Sequence, residues 1–169
     1  MNSNSWARTP WDKDDYDALK RHAFLQHPAE CVLQHIEYFE GFKATAYKCP
    51  LGVWTIGYGH TEGVKEGDGP ITHHEAEAML LADVKKFIAQ LAPYVNAPLS
   101  GFQFVAIVSL AYNIGVKNLT TKCPKLMRAL NCKHYEEAAK EFLDITNGGL
   151  PGLVKRREAE AELMRLYRE

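Results

Sequence analysis

The sequence lacks a long apolar run and an excess of charge of either sign. Its 20 Lys and Arg residues nearly balance 21 Asp and Glu residues, so the net charge of -1 provides no field that would hold the whole molecule on nucleic acid or an anionic membrane. The longest apolar stretch, Phe102 to Tyr112, is interrupted by Gln103 and Ser109 and is too short to span a bilayer. It predicts a buried core helix, with no nucleic-acid partner and no membrane insertion.

Cysteines are few, and none of the four lies in a C-x-x-C spacing. Residues 1–26 contain no apolar run of the kind found in a signal peptide or signal anchor, so we expect synthesis and folding in the cytoplasm. Thiols stay reduced there, which favours free thiols at Cys31, Cys123 and Cys132.

The strongest punctuation of the chain is a Gly-rich region from Gly52 to Gly69, with patterns of helical period on both sides. The order predicts an α+β fold with a small β lobe, about 43–70, and a larger, mainly helical lobe, about 72–169. Residues 27–169 are predicted to form a single domain with a ligand cleft between the lobes. Residues 1–26 are predicted to be an appended segment, whose role the sequence does not indicate.

The helices are predicted from apolar residues at spacings of three and four and from capping signals. Thr72 with Glu75, and Ser100 with Gln103, have the form of capping boxes, and Gly115 suits a helix end. We expect helices near residues 14–25, 73–94, 102–112, 124–130, 134–145 and 153–167.

An earlier apolar stripe, Val32, Leu33, Ile36 and Phe39, leads to Glu40. This spacing places Glu40 on the inner side of a helix end. A carboxyl group in such a place is partly desolvated and keeps its proton to higher pH, which is the state that a general acid needs.

A predicted hairpin follows, with its turn at Cys49-Pro50-Leu51-Gly52 and a second strand from Val53 to His60. Strand alternation puts Thr55, Gly57 and Gly59 on one nearly bare face. The two glycines leave backbone open to a ligand, or else they only relieve crowding in a twisted hairpin. His60 lies on the other face, where we expect it to pair with a nearby acid.

These motifs resemble the phage lysozymes of glycoside hydrolase family 24, which include the T-even and lambdoid phage enzymes. The family pattern is Glu, eight residues, Asp or Cys, five residues, Thr, and Glu40, Cys49 and Thr55 have those separations. The resemblance covers roughly residues 30 to 167. It rests on the strings EGF at 40–42, AY at 46–47, WTIGYGHT at 54–61, LAYNIG at 110–115 and GGLPGLVKRRE at 148–158.

The resemblance implies a lysozyme-like fold and a muramidase that hydrolyses β-1,4 bonds between N-acetylmuramic acid and N-acetylglucosamine in peptidoglycan, with inversion. Glu40 is then the general acid, and Cys49 and Thr55 are the other catalytic residues, suited to hold a water beneath the sugar. Three residues of the second strand are predicted to bind substrate: Gly57, Tyr58 and Gly59.

Cys49 departs from a scheme with two carboxylates. A thiol with a pKa of about 8.5 is mostly neutral at pH 7 and is a poor substitute for aspartate as an electrostatic stabiliser. Its role as a weak base, a water-positioning group or a nucleophile is left open.

Two rival functions follow from the same residues. Cleavage with one carboxylate and no strong base can end in internal attack, which describes a lytic transglycosylase. A non-catalytic peptidoglycan-binding module needs no acid at all.

The resemblance further implies a monomeric phage or prophage endolysin. Such a protein waits in the host cytoplasm until a holin opens its way to the periplasm and cell wall, where it causes lysis.

Two charged or metal-capable clusters remain. Lys155, Arg156 and Arg157 are predicted to form a solvated helix face, with a minor role in steering anionic substrate as the alternative. Adjacent His73 and His74 point in different directions on a helix and have no third ligand at a suitable spacing. No metal and no cofactor are predicted.

Overall fold

A computed structural model describes residues 8–169, so residues 1–7 of the predicted N-terminal segment lie outside the described residues. Within this range the order is helix, hairpin, then helices, which confirms the predicted α+β fold class. The strands are β1 (Lys43–Lys48) and β2 (Trp54–Gly57). The α-helices are α1 (Tyr16–Leu19), α2 (Leu33–Glu40), α3 (His73–Leu91), α4 (Gly101–Ile114), α5 (Val116–Lys122), α6 (Pro124–Asn131), α7 (Tyr135–Phe142) and α8 (Pro151–Met164), and 3-10 turns cover Phe24–Gln26, Ala29–Val32 and Ala92–Tyr94.

The centre of the helical lobe is α4. Every residue from Gly101 to Ala111 is buried, and the helix packs against α1, α3, α5 and α8. The predicted core helix is therefore confirmed, as are the capping boxes at Thr72 and Ser100. Gly115, with φ of 89°, ends α4 as expected. None of the helices within residues 8–169 is long and apolar enough to cross a bilayer.

The helix α5 was not predicted. Its seven residues bury only Val116 and Leu119, which is too short an apolar pattern to recognise by period. Gly115 both ends α4 and precedes α5, so the glycine marks a bend between two helices instead of a loop.

The hairpin is antiparallel, with Tyr47 opposite Thr55. As expected, the Gly52 N–H donates to the Cys49 carbonyl at 2.8 Å and closes the turn. The prediction that the second strand continues to His60 is wrong. Gly57 and Gly59 have φ of 68° and 90°, and the backbones of Ile56 and His60 exchange two 2.9 Å hydrogen bonds across the tight turn that results.

The described part of the predicted N-terminal segment packs on the helical lobe. Trp11 meets Phe102 edge to face at 5.3 Å between ring centroids. The Arg168 N–H donates to the Leu19 carbonyl at 2.9 Å, which joins this segment to the end of the chain. In place of the expected helix at 14–25 there are only α1 and a 3-10 turn, because the backbone between them pairs with Leu99.

Candidate active site

A cleft of about 410 Å³ lies between the hairpin, the end of α2, and the helices α3 and α4. The three residues predicted to be catalytic, Glu40, Cys49 and Thr55, all line it. The opposite wall comes from α3 and α4, with Asp83 and Tyr112 among its residues. The fold therefore brings together residues that the sequence related only by spacing.

Glu40 is the last residue of α2, and Gly41 ends the helix with φ of 74°. The Glu40 side chain is 21% exposed, and its Oε2 accepts a hydrogen bond of 2.6 Å from Nη1 of Arg156. The sequence pattern predicts the partial burial of Glu40 but not its ion pair with Arg156.

Cys49 lies in the hairpin turn beside Thr55. Hydrogen bonds within the turn lower the pKa of the Cys49 thiol, the largest from the backbone of Val53 and of Leu51, with a smaller contribution from the Thr55 side chain. A greater thiolate fraction makes the sulfur a better proton acceptor near neutral pH than an ordinary thiol. Thr55 is 4% exposed, and its hydroxyl donates to the Val53 carbonyl at 3.0 Å.

Gly59 lies where the backbone comes close to the carboxyl group of Glu40. A Cβ added there would lie 3.0 Å from Oε1 of Glu40 and 3.3 Å from the Tyr112 hydroxyl. Together with the φ of 90°, this contact excludes a side chain at Gly59 without rearrangement. Of the three residues predicted to bind substrate, Gly59 is the one that lines the cleft.

Gly57 and Tyr58, the other two residues predicted to bind substrate, do not line the cleft. A Cβ on Gly57 would meet Ala76 of α3 at 3.3 Å, so this residue faces the helix. Tyr58 is 8% exposed, and its hydroxyl forms a 3.2 Å hydrogen bond with Nδ1 of His73. Neither residue lines the cleft, because the left-handed glycines break the strict alternation of a strand.

His60 pairs with an acid, as predicted. Its Nδ1 lies 2.7 Å from Oδ2 of Asp83, and both side chains are largely buried. The contact fixes the turn after β2 to α3, so it supports the cleft wall that contains Asp83.

Tyr112 is a cleft residue that the sequence analysis did not single out. Its hydroxyl donates to the Tyr58 carbonyl at 2.7 Å. Burial, and then the nearby Glu40 carboxylate, raise the pKa of Tyr112, so the phenol stays neutral. Tyr112 belongs to the LAYNIG string at 110–115, and this is the sequence feature that could have identified it as a site residue.

The prediction of a solvated basic face is wrong for two of its three residues. Lys155 is exposed, but Arg156 and Arg157 are 3% and 0% exposed. Glu160 is the available signal, since it lies four residues after Arg156 and three after Arg157 on a predicted helix. Arg156 is therefore the main functional candidate that sequence reasoning missed.

No group of three or more His, Cys, Asp and Glu side chains within residues 8–169 is arranged to hold a metal ion. His73 stacks on Phe42 with 3.8 Å between ring centroids. All four cysteines are outside disulfides.

Sequence comparison finds the phage lysozyme family, whose model matches residues 37–160. The endolysin of Acyrthosiphon pisum secondary endosymbiont phage 1 is 41% identical over 144 residues, which cover 81% of this chain and 97% of that protein. The endolysin of Bacillus phage B103 is 37% identical over 133 residues, covering 76% of this chain but 50% of that longer protein.

Two solved structures have a similar fold. The muramidase domain of SpmX from Asticaccaulis excentricus superposes with a TM-score of 0.74 at 32% identity, covering 82% of this chain and 98% of that one. The endolysin from Escherichia coli O157:H7 phage FAHEc1 has a TM-score of 0.70 at 32% identity, covering 82% of this chain and 94% of that one.

Proposed function

This chain belongs to the phage lysozyme family and is a glycoside hydrolase, and we propose that it is an endolysin that cleaves peptidoglycan through Glu40. The bond proposed is the β-1,4 link between N-acetylmuramic acid and N-acetylglucosamine. The observation that carries the proposal is the presence of Glu40, Cys49 and Thr55 in one cleft. A binding module would need neither an acid nor its charged partner.

In the proposed reaction Glu40, once protonated, gives its proton to the departing sugar oxygen as the glycosidic bond breaks. A water held by Cys49 and Thr55 attacks the anomeric carbon from the opposite side of the ring. The water proton passes to the Cys49 thiolate or to solvent, and Glu40 returns to its ion pair with Arg156. This sequence inverts the anomeric configuration.

Cys49 acts here as a water-positioning group and weak base. Support comes from the turn hydrogen bonds that lower its pKa and from its position beside Thr55. A covalent role is not needed, because water reaches the anomeric carbon directly in an inverting reaction.

We also propose that the protein acts as a monomer and is held in the host cytoplasm until a holin opens the inner membrane. Its target is then the cell wall of the host, which it lyses. The name endolysin of the relatives supports the lytic role.

The test is digestion of purified peptidoglycan in water enriched in oxygen-18. Hydrolysis should place one heavy oxygen at each new reducing end, and proton NMR of the first products should show the α anomer. Anhydro ends without heavy oxygen would assign a lytic transglycosylase instead. Binding without any soluble product would leave only a peptidoglycan-binding module.

A further inference from the structure

Behind the cleft, three charged residues of α8 lie against α4 with almost no solvent contact. Arg157 and Glu160 are fully buried and Arg156 is 3% exposed. Burial of three ionisable side chains is costly unless each is paired, so their arrangement requires an explanation beyond packing.

Ser109 of α4 links Glu160 to Arg156 through hydrogen bonds. The Ser109 Oγ accepts hydrogen bonds from Nε and Nη2 of Arg156, at 3.3 and 3.2 Å, and donates to Oε2 of Glu160 at 2.5 Å. Glu160 is thus a hydrogen-bond acceptor at this oxygen. Burial is the largest influence and raises the pKa of Glu160 above its ordinary value, while the guanidinium groups of Arg157 and Arg156 act in the opposite direction and stabilise the carboxylate.

Glu160 is the shared counter-ion of both arginines. Its Oε1 lies 3.1 Å from Nε of Arg157, and its Oε2 lies 3.5 Å from Nε of Arg156. Each arginine then reaches one residue of the cleft. Arg156 contacts Glu40, and Nη2 of Arg157 donates to Oδ1 of Asn113.

We propose that Glu160 is a positioning residue for hydrolysis, which holds both arginines in place and offsets their charge so that Glu40 can take up the proton it must donate. The proposal rests on the proposed function of Glu40. Without the Glu160 charge, Glu40 would face two cations that only its own carboxylate neutralises. Its ionised form would then be more stable, and the acid form would exist only at lower pH.

Other groups facing these two carboxylates do not supply the missing charge. The phenols near Glu40 are neutral, and Asp83 bonds to His60 and to neither arginine. The titratable or charged groups around Glu40 are Arg156 and Arg157 of α8, Tyr112 of α4, Asp83 of α3, Tyr47 of β1 and Cys49 of the turn. Those around Glu160 are Arg156 and Arg157, with Cys123 next to Arg157.

The test is the variant Glu160→Gln, which keeps the shape of the side chain and removes its charge. The basic limb of the pH profile of kcat/KM should move to lower pH by about one unit, as expected for loss of a nearby charge in a partly buried site. At neutral pH kcat should fall while KM changes little, because Glu160 does not line the cleft. The matched control is Glu158→Gln, the same change at an exposed position of α8. Its basic limb should lie at the same pH as that of the wild type.

A direct readout needs no catalysis. Carbon-13 NMR titration of the Glu40 side-chain carboxyl should show ionisation at lower pH in Glu160→Gln than in wild type. Glu160→Gln could instead lower Tm while the basic limb of the kcat/KM profile and the pH at which Glu40 ionises stay as in wild type. Glu160 is then structural, and the proposal is overturned. A wild-type protein that does not hydrolyse peptidoglycan would refute the proposed function, while the titration would still decide on the charge effect.

Arg157→Gln gives an answer if Glu160→Gln does not fold. Removal of one cation should move ionisation of Glu40, and with it the basic limb, to higher pH. A limb that does not move, or that moves to lower pH, would overturn the proposal.

Discussion

Replacing Arg156 by methionine should destabilise the protein strongly. Arg156 is 3% exposed and bonds to Glu40 at 2.6 Å, to the Ser109 hydroxyl and carbonyl, and to Glu160 as an ion pair. Methionine fills much of the volume but supplies no donor. Removing one partner from a buried ion pair costs about 3 to 5 kcal/mol, because the other charges stay buried without it.

The measurement is thermal unfolding by circular dichroism. At about 2 to 4 °C per kcal/mol for a chain of this size, Tm should fall by roughly 6 to 20 °C. Lys155→Met is the matched control, since its side chain is exposed, and its effect should stay within about 0.5 kcal/mol. Arg156→Lys should give an intermediate loss, because one ammonium group cannot bridge Glu40 and Ser109 as the planar guanidinium does. If Arg156→Met melts within about 2 °C of the control, the buried network contributes little and this reasoning is wrong.

Three further predictions concern the cleft and the helices behind it. Gly59→Ala should lower the lytic rate, because its Cβ would lie 3.0 Å from the Glu40 carboxylate. Gly63→Ala is the control, since Gly63 has the same left-handed backbone in open space and its variant should keep the rate; equal losses would reject the steric reason. Iodoacetamide modification of Cys49 should stop lysis by blocking the water site. The same treatment should not alter the residual activity of the control Cys49→Ser. Full activity of the wild type after quantitative modification would count against a functional thiol. Burial, and then the neighbouring carboxyl of Glu77, raise the pKa of Glu37 from 4.5 to about 7. Between these two pH values the folded state binds a proton that the unfolded state has lost, so the free energy of unfolding falls as pH rises from 4.5 to about 7. Urea unfolding of Glu37→Gln should show a shallower fall over the same window, and an unchanged slope would contradict the assignment.

The part of the site that was predictable is local in the sequence. Glu40, Cys49 and Thr55 lie within one helix end and one hairpin, so linear spacing is enough to group them. The capping boxes at Thr72 and Ser100 were predictable for the same reason, since each depends on residues three positions apart.

The missed features depend on tertiary structure. Arg156 reaches Glu40 across 116 positions of the chain, and burial of a basic cluster cannot be read from its composition. Alternation puts Gly57 and Gly59 on one strand face, but both glycines have a positive φ, and the tight turn that results leaves Gly57 against Ala76 and Gly59 against Glu40. The segment before residue 27 gives no periodic signal for its packing, which depends on single contacts such as Trp11 with Phe102.

The most direct test of the account is mass spectrometry of the soluble products from purified peptidoglycan after digestion by wild type, Glu40→Gln and Glu62→Gln. Glu62 also lines the cleft but is exposed and paired with Lys86, so its variant controls for loss of a cleft carboxylate. The account predicts reducing-end muropeptides from wild type and from Glu62→Gln, and none from a folded Glu40→Gln. Substantial release of the same muropeptides by Glu40→Gln would contradict the assignment of Glu40 as the general acid.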